Sequence, residues 1–403
     1  MADDHNTLLN PAHSMPRQLV LLFACASGLS VANVYYAQPL LDALASEFAI
    51  SLADVGVIVT ATQLGSALAL LLVVPLGDVV DRKRLMMAQL ALLVLALTGV
   101  CVAASSKLLL LGMLAIGLLG TAMTQGLIAY AATAAAPAER GRVVGAAQSG
   151  VVIGLLLARV LAGFVADLTG WRGVYFLSAM VMLTLGVILW RVLPPQTRPL
   201  QQLSYVELIV SMFTLLGTER VLQIRGVIAL LMFAAFSIFW SALVLPLSAP
   251  TYRFSHTAIG AFGLIGVLGA LIAAKAGHWA DRGLGQVTSG VALLLLLTSW
   301  IPLGYGTHSL YWLVMGIIML DIGGQAIHVT NQSMIFSSQT HTHSRLVGCY
   351  MLFYAAGSGL GAIVSTSVYA SSGWQGVCLL GAGVSGLALL FWLSTLRFMP
   401  KNR

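Results

Sequence analysis

Two ionisable side chains stand where charge is expensive. Of the thirteen acidic residues, Asp321 alone falls near the middle of a long apolar run, and of the twenty basic residues Arg159 alone lies well inside one. A charge at the centre of a bilayer costs roughly 2.5–3.5 kcal/mol even on insertion scales, so ionisable residues there are functional candidates by default. Asp321 heads a polar stripe that continues through Gln325, His328 and Gln332, with Asn331 beside it. The spacing keeps the four on one helix face. A lipid-facing stripe of this polarity is untenable, so that face turns to a cavity or to another helix. In such surroundings Asp321 or His328 can exchange a proton near neutral pH. The alternative is a satisfied hydrogen-bond network that holds helices together.

Arg159 has three readings. It pairs with Asp321 as a charge switch, it binds an anionic substrate through its planar fork, or it snorkels toward the outer interface. A further polar group, Asn33-Val34-Tyr35-Tyr36-Ala37-Gln38-Pro39, closes the first apolar run. There Asn33 and Tyr36 share a face and Pro39 breaks the helix.

The elements that carry these residues follow from composition. The chain has 403 residues, 59% of them hydrophobic and 8% charged, against roughly 25% charged in soluble domains. So few charges cannot cover a water-soluble surface, which makes this an integral membrane protein. The runs are long and continuous rather than alternating, so they read as helices and not as barrel strands. Twelve spans are expected, near 18–41, 55–76, 85–104, 108–135, 143–167 and 174–193, then 226–247, 258–277, 287–304, 309–335, 346–370 and 377–398. The first span reads as retained, since the apolar stretch before Cys25 is too short for a cleaved leader.

With the N-terminus in the cytoplasm, sixteen Lys and Arg lie on the cytoplasmic side and only Lys107, Arg172 and Arg253 outside. This asymmetry predicts cytoplasmic termini. The net charge of +7 forms no basic stripe interleaved with aromatics, so nucleic acid is not expected as a partner. Cys25, Cys101, Cys349 and Cys378 stand singly in apolar runs and read as packing residues. His341 and His343 sit in a loop without Cys or Asp partners, so no metal site is expected.

The clearest organisational signal is a repeat. Gly77-Asp78-Val79-Val80-Asp81-Arg82 recurs 200 residues later as Gly277-His278-Trp279-Ala280-Asp281-Arg282. Arg142-Val143-Val144-Gly145 and Gly170-Trp171-Arg172 recur 203 residues on, as Arg345-Leu346-Val347-Gly348 and Gly373-Trp374-Gln375. Two homologous six-span halves are therefore expected, 17–193 and 226–398. A tail of 1–16, a central cytoplasmic loop of 194–225 and a tail of 399–403 complete the chain. Parallel halves about a midplane site are a secondary-transporter design.

These residues resemble the major facilitator superfamily over essentially the whole chain. Its loop signature, Gly-x-x-x-Asp-Arg-x-Gly-Arg, is met here as Gly77…Asp81-Arg82-Lys83-Arg84, which lacks the expected Gly before the last Arg. The second copy reads Gly277…Asp281-Arg282-Gly283 and fades after that Gly. The fifth span is similar to the antiporter pattern Gly-x-x-x-Gly-Pro-x-x-Gly-Gly, but reads Gly154…Ala158-Arg159…Ala162-Gly163. The resemblance implies an all-α fold of twelve transmembrane helices in two pseudo-symmetric six-helix bundles. It implies that Asp81 locks a cytoplasmic gate near Arg345, and by symmetry Asp281 near Arg142. It also places spans one, four, seven and ten around a central cavity, which nominates Asn33, Tyr36, Gln38, Thr121, Gln125, Phe236 and Trp240. Tyr and Trp also populate interfacial belts. Gly150-x-x-x-Gly154 and Gly357-x-x-x-Gly361 read as close helix contacts.

The expected function is secondary transport of a small organic molecule by alternating access. The sequence carries no nucleotide loop, so an ion gradient is expected to drive it, with protons as the expected ion. Export is expected from the efflux-like branch that the chain resembles. The alternative is uptake of an organic anion held by Arg159. The expected partners are substrate, protons and membrane lipid, with the protein a monomer and no cofactor implied. An intramembrane enzyme would need a nucleophile elbow, an HExxH motif or paired carboxylates, and the sequence has none of these. A receptor would need an output domain, for which the tails leave no room.

Overall fold

The structure is a computed structural model that describes residues 15–136, 138–193, 204–250, 252–306, 309–336 and 343–399. Among the described residues nine helices are long and apolar enough to cross a membrane. Two of them, His256–Gly304 and Arg345–Phe398, run 49 and 54 residues, twice the length of a span. Each breaks at a glycine in the left-handed region, Gly283 (φ 85°) and Gly373 (φ 62°), a backbone that side chains with a Cβ rarely adopt. Each is therefore two passes. The sixteen-residue helix Arg17–Ala32, extended by turns into Gln38–Leu40, supplies the remaining one.

The twelve spans are α1 (Arg17–Ala32), α2 (Val57–Asp78), α3 (Arg82–Cys101), α4 (Ser106–Ala134), α5 (Arg140–Thr169) and α6 (Trp171–Val192), then α7 (Arg220–Ser248), α8 (256–282), α9 (284–304), α10 (Leu310–Phe336), α11 (343–372) and α12 (374–398). With an even number of passes, α1 begins and α12 ends at one face, the terminal face. The other is the distal face. Leucines such as Leu95, Leu111, Leu271 and Leu379 remain exposed on the outside of the bundle, where acyl chains cover them.

The repeat in the sequence has a structural counterpart. Gly170 (φ 78°) and Gly373 both turn the chain at the distal face. The tryptophan after each anchors the new helix: Trp171 Nε1 donates to Glu47 at 2.5 Å, and Trp374 Nε1 to the Leu303 carbonyl at 2.8 Å. The two small-residue pairs also match. A Cβ on Gly154 would stand 2.6 Å from the Gly28 carbonyl carbon, and one on Gly357 2.9 Å from that of Leu230. α1 therefore meets α5, and α7 meets α11, backbone to backbone within each half.

The segment expected as a loop at 194–225 is partly helical. A linker helix, Tyr205–Thr218, starts with a capping box between Ser204 and Glu207, and α7 already begins at Arg220. The linker helix touches both halves at the terminal face. Tyr205 Oη donates to the Leu72 carbonyl of α2 at 2.7 Å, while Ser211 accepts from Arg345 of α11 at 2.9 Å.

Candidate functional site

Arg159 and Asp321 reach the same depth from different halves. Arg159 lies ten residues before the distal end of α5 and Asp321 eleven residues into α10. At ~1.5 Å per residue both stand about 15 Å from the distal ends, close to the middle of a ~30 Å hydrocarbon layer. Both are buried, at 5% and 3% exposure, which removes the snorkelling reading of Arg159.

The chain end of α1 positions the arginine. Pro39 opens a short 3₁₀ turn, Gln38–Leu40, and Gln38 Oε1 accepts from Arg159 Nε at 2.8 Å. The guanidinium carbon sits 4.3 Å from the Trp240 ring centroid and 5.4 Å from that of Tyr35, a cation held between aromatic faces. Gln38, Pro39, Arg159, Trp240 and Ile259 line a small cavity.

Asp321 is positioned by glycines. α8 carries Gly260, Gly263, Gly266 and Gly269, one every third residue, through a stretch that tightens to 3₁₀ at Phe262–Ile265. A Cβ at Gly263 would stand 3.3 Å from Arg159 Cδ, and one at Gly266 3.2 Å from Asp321 Oδ2. The ladder thus brings both charged residues against one helix face. Among the described residues no ion pair within 4 Å joins them. Asp321 Oδ2 and Trp240 Nε1 are buried side by side, short of a hydrogen bond. An unpartnered buried carboxylate oxygen is costly, and it is a place for a proton or a ligand donor.

The other predicted residues divide. Gln325 lies half-buried one turn along α10. His328 Nδ1 meets Tyr350 Oη at 2.9 Å. Asn331 turns away from the cavity and bonds Arg225, whose Nη1 donates to it at 3.3 Å. Asn33 and Tyr36 also turn away. Asn33 Oδ1 accepts from Ser178 of α6 at 2.6 Å, and Tyr36 is buried beside the same serine. Because Asn33 and Tyr36 share a face, Tyr35, one of the two residues between them, takes another side. Tyr35 hydrogen-bonds Tyr354 of α11 across the halves, and Phe233 stands edge-on to both Tyr354 and His328. Thr121 bonds Ser66 of α2 at 2.8 Å, Gln125 is half-buried, and Phe236 fills the space before Gly324. Among the described residues no three His, Cys, Asp or Glu side chains gather to hold a metal ion. His341 lies outside the described residues.

The loop signature bonds within its own half in this structure. Asp81 caps α3, accepting from the Arg84 N–H at 2.7 Å. Arg82 ties the end of α2 to α4, reaching the Gly77 carbonyl at 2.9 Å, Ala129 at 3.2 Å and Asp78 at 2.8 Å. Arg84 and Arg282 are exposed. Asp281 accepts from Ser333 at 2.6 Å, and Arg142 pairs with Glu139 at 2.7 Å. Arg345 is therefore bonded to the linker helix, not to Asp81. The acid that shares a groove with Arg345 is Asp78. Gly277 lies against Val329.

The glycine ladder and Arg225 escaped the sequence reading. The glycine ladder was legible as a three-residue period. Arg225, expected in the cytoplasmic loop, lies inside α7 and is fully buried, bonded to Ser289 at 2.7 Å and Gln286 at 2.8 Å. A polar cluster on two other helices drew it in, and no local pattern announces that.

Residues 22–345 match the model of the Major Facilitator Superfamily. The chain belongs to that superfamily. It is 41% identical over 392 residues to the uncharacterized transporter YgaY of Escherichia coli O157:H7, covering 96% of this chain and 97% of that one. It is 26% identical over 333 residues to the multidrug resistance protein MdtG of Dickeya zeae, covering 80% of each. Its fold superposes with a TM-score of 0.76, at 14% identity, on a bacterial homolog of the human lysosomal transporter Spinster in an inward-facing, occupied conformation, over 94% of this chain and 96% of that one. The chain is thus a superfamily transporter built of twelve membrane helices in two six-helix bundles, and not an enzyme.

Proposed function

We propose that this protein is a proton-coupled exporter of a small organic molecule, working as a monomer in the bacterial cytoplasmic membrane with both termini in the cytoplasm. The observation that carries this reading is the midplane pair: Arg159 and Asp321 come from opposite halves, lie at one depth and press on one glycine ladder, yet form no ion pair. A carboxylate left short of partners gains from a proton, and rocking of the halves alters its distance from the arginine. Protonation and conformation are thereby linked. The likeness to MdtG supports the outward direction, and the basic loops support the orientation.

The test uses inside-out vesicles with an acidic lumen, a pH-sensitive dye, and a panel of lipophilic cations, neutral sugars and organic anions. A compound that dissipates the gradient with the wild-type protein should fail to do so with Asp321→Asn. A gradient that falls equally in both removes Asp321 from coupling.

One observation favours a second reading, uptake of an organic anion. Among the described residues Nε is the guanidinium nitrogen of Arg159 that bonds protein, at Gln38, which leaves its terminal amino groups for a carboxylate. Arg159→Ala then abolishes anion uptake in intact cells while sparing export of cations.

A further inference from the structure

Away from the midplane, at the distal face, the halves meet through an imidazole. His256 begins α8, and both of its ring nitrogens face carboxylates of the other half. Nε2 lies 3.1 Å from Asp42 Oδ1, on the short helix Leu41–Phe48, and Nδ1 lies 3.1 Å from Asp167 Oδ1, near the end of α5. Asp167 is oriented independently of the ring. It accepts from the His256 backbone N–H at 3.0 Å and from the Thr257 N–H and hydroxyl at 2.8 and 2.6 Å. Asp42 and Asp167 are the charged groups that act on the ring.

The geometry has one chemical solution. An ionised carboxylate only accepts hydrogen bonds, and a neutral imidazole carries a single N–H. With a neutral ring, one of the two contacts sets a nitrogen lone pair against a carboxylate oxygen. Only the imidazolium donates to both. All three side chains keep about a quarter of their surface open, at 24–26%, so protons from the adjoining aqueous phase reach them.

We propose that His256 is a second proton site, distinct from the midplane pair, and that its proton clasps the halves shut at the distal face. On the orientation proposed above, the proton comes from outside the cell. Histidine titrates near pH ~6.5 in the absence of partners. The sign follows from the donors: acid keeps both bonds and a closed distal face, and alkali removes one bond and favours opening. A hydrogen bond to a charged group is strong enough that its loss shifts the open-to-closed ratio by roughly tenfold.

The test is conformational, so its outcome does not depend on substrate or on Asp321. The full-length protein, with its four native cysteines replaced, receives spin labels at Leu52→Cys and Tyr305→Cys, both exposed near the distal face. It is placed in lipid nanodiscs, and label distances are measured from pH 5 to pH 8. The expected result is a long-distance population that rises about tenfold with pH and becomes pH-independent in His256→Gln. Asp42→Asn should flatten the response in the same way while leaving the backbone contacts of Asp167 in place, and it serves if His256→Gln fails to fold. Asp321→Asn should keep the response. An unchanged pH response in His256→Gln or Asp42→Asn, or a flat wild-type profile, overturns the proposal.

Discussion

Gly260→Ala separates two kinds of close contact. A Cβ there would stand 2.7 Å from the Arg159 carbonyl carbon and nearer still to its oxygen, where ordinary contact begins near 3.4 Å, so α8 and α5 must part by at least about 0.7 Å. Gly154→Ala meets the Gly28 carbonyl carbon at 2.6 Å, an equally severe clash. Overpacking of this size costs roughly 1–3 kcal/mol. The difference lies in what can yield. α1 and α5 belong to one bundle and have no alternative arrangement, so Gly154→Ala should lower the thermal midpoint by several degrees, at ~2–4 °C per kcal/mol. α5 and α8 belong to opposite halves, and opening the distal face relieves their clash. Gly260→Ala should therefore leave the midpoint near wild type and raise the distal-open population by about five- to hundredfold. Thermal unfolding in detergent and label distances across the distal face read the two quantities separately. A midpoint loss in Gly260→Ala equal to that of Gly154→Ala, with no change in label distances, refutes the view that α5 and α8 meet at a moving surface.

Arg225→Ala leaves Ser289, Gln286 and Asn331 without their shared donor inside the membrane. Ser289 keeps the Gly285 carbonyl and Gln286 keeps the Trp392 indole. The acceptor left short is therefore Asn331 Oδ1, at a cost of about 1–3 kcal/mol, and a fall in thermal midpoint beyond that of an Arg220→Ala control is expected. Glu47 is held below the usual carboxylate range, first by the Trp171 indole N–H and then by Arg172. A depressed acid adds stability above its unfolded-state pKa that is lost as pH falls through the folded one. The wild-type midpoint should therefore drop as pH falls below about 4.5, and Glu47→Gln should flatten that limb. The pair is exposed, so the effect is small, ~1 °C at pH 7.

Much of the architecture was written in linear pattern. Continuous apolar runs have one outcome in lipid, so the spans and their number followed from hydropathy. The repeated Gly-Trp step marked two equivalent turns because a left-handed residue before a helix is a local requirement. Arg159 and Asp321 were visible for an equally local reason, as charges where none is cheap. What linear pattern does not contain is rotation about the helix axis. Asn33 and Tyr36 were nominated because they share a face, yet that face meets Ser178, and Tyr35 between them reaches the other half. Asn331 was claimed by a buried arginine more than a hundred residues away. His256 carried no signal at all, because both of its partners come from distant segments.

The linker helix joins the halves unequally. It grips α11 by the Arg345–Ser211 bond and by the Cys349 thiol on the Met212 carbonyl, whereas among the described residues its one hydrogen bond to α2 is that of the Tyr205 hydroxyl, beside a groove that Leu208 and Met212 line with Val74 and Pro75. In any movement that parts α2 from α11 at the terminal face, Tyr205 lets go first and the helix rides with the second half. Val206, Val210 and Phe213, all more than half exposed, travel with it as a keel. A stiffer or more crowded lipid leaflet then resists the stroke directly, and the conformational equilibrium of the transporter becomes a reporter of membrane mechanics.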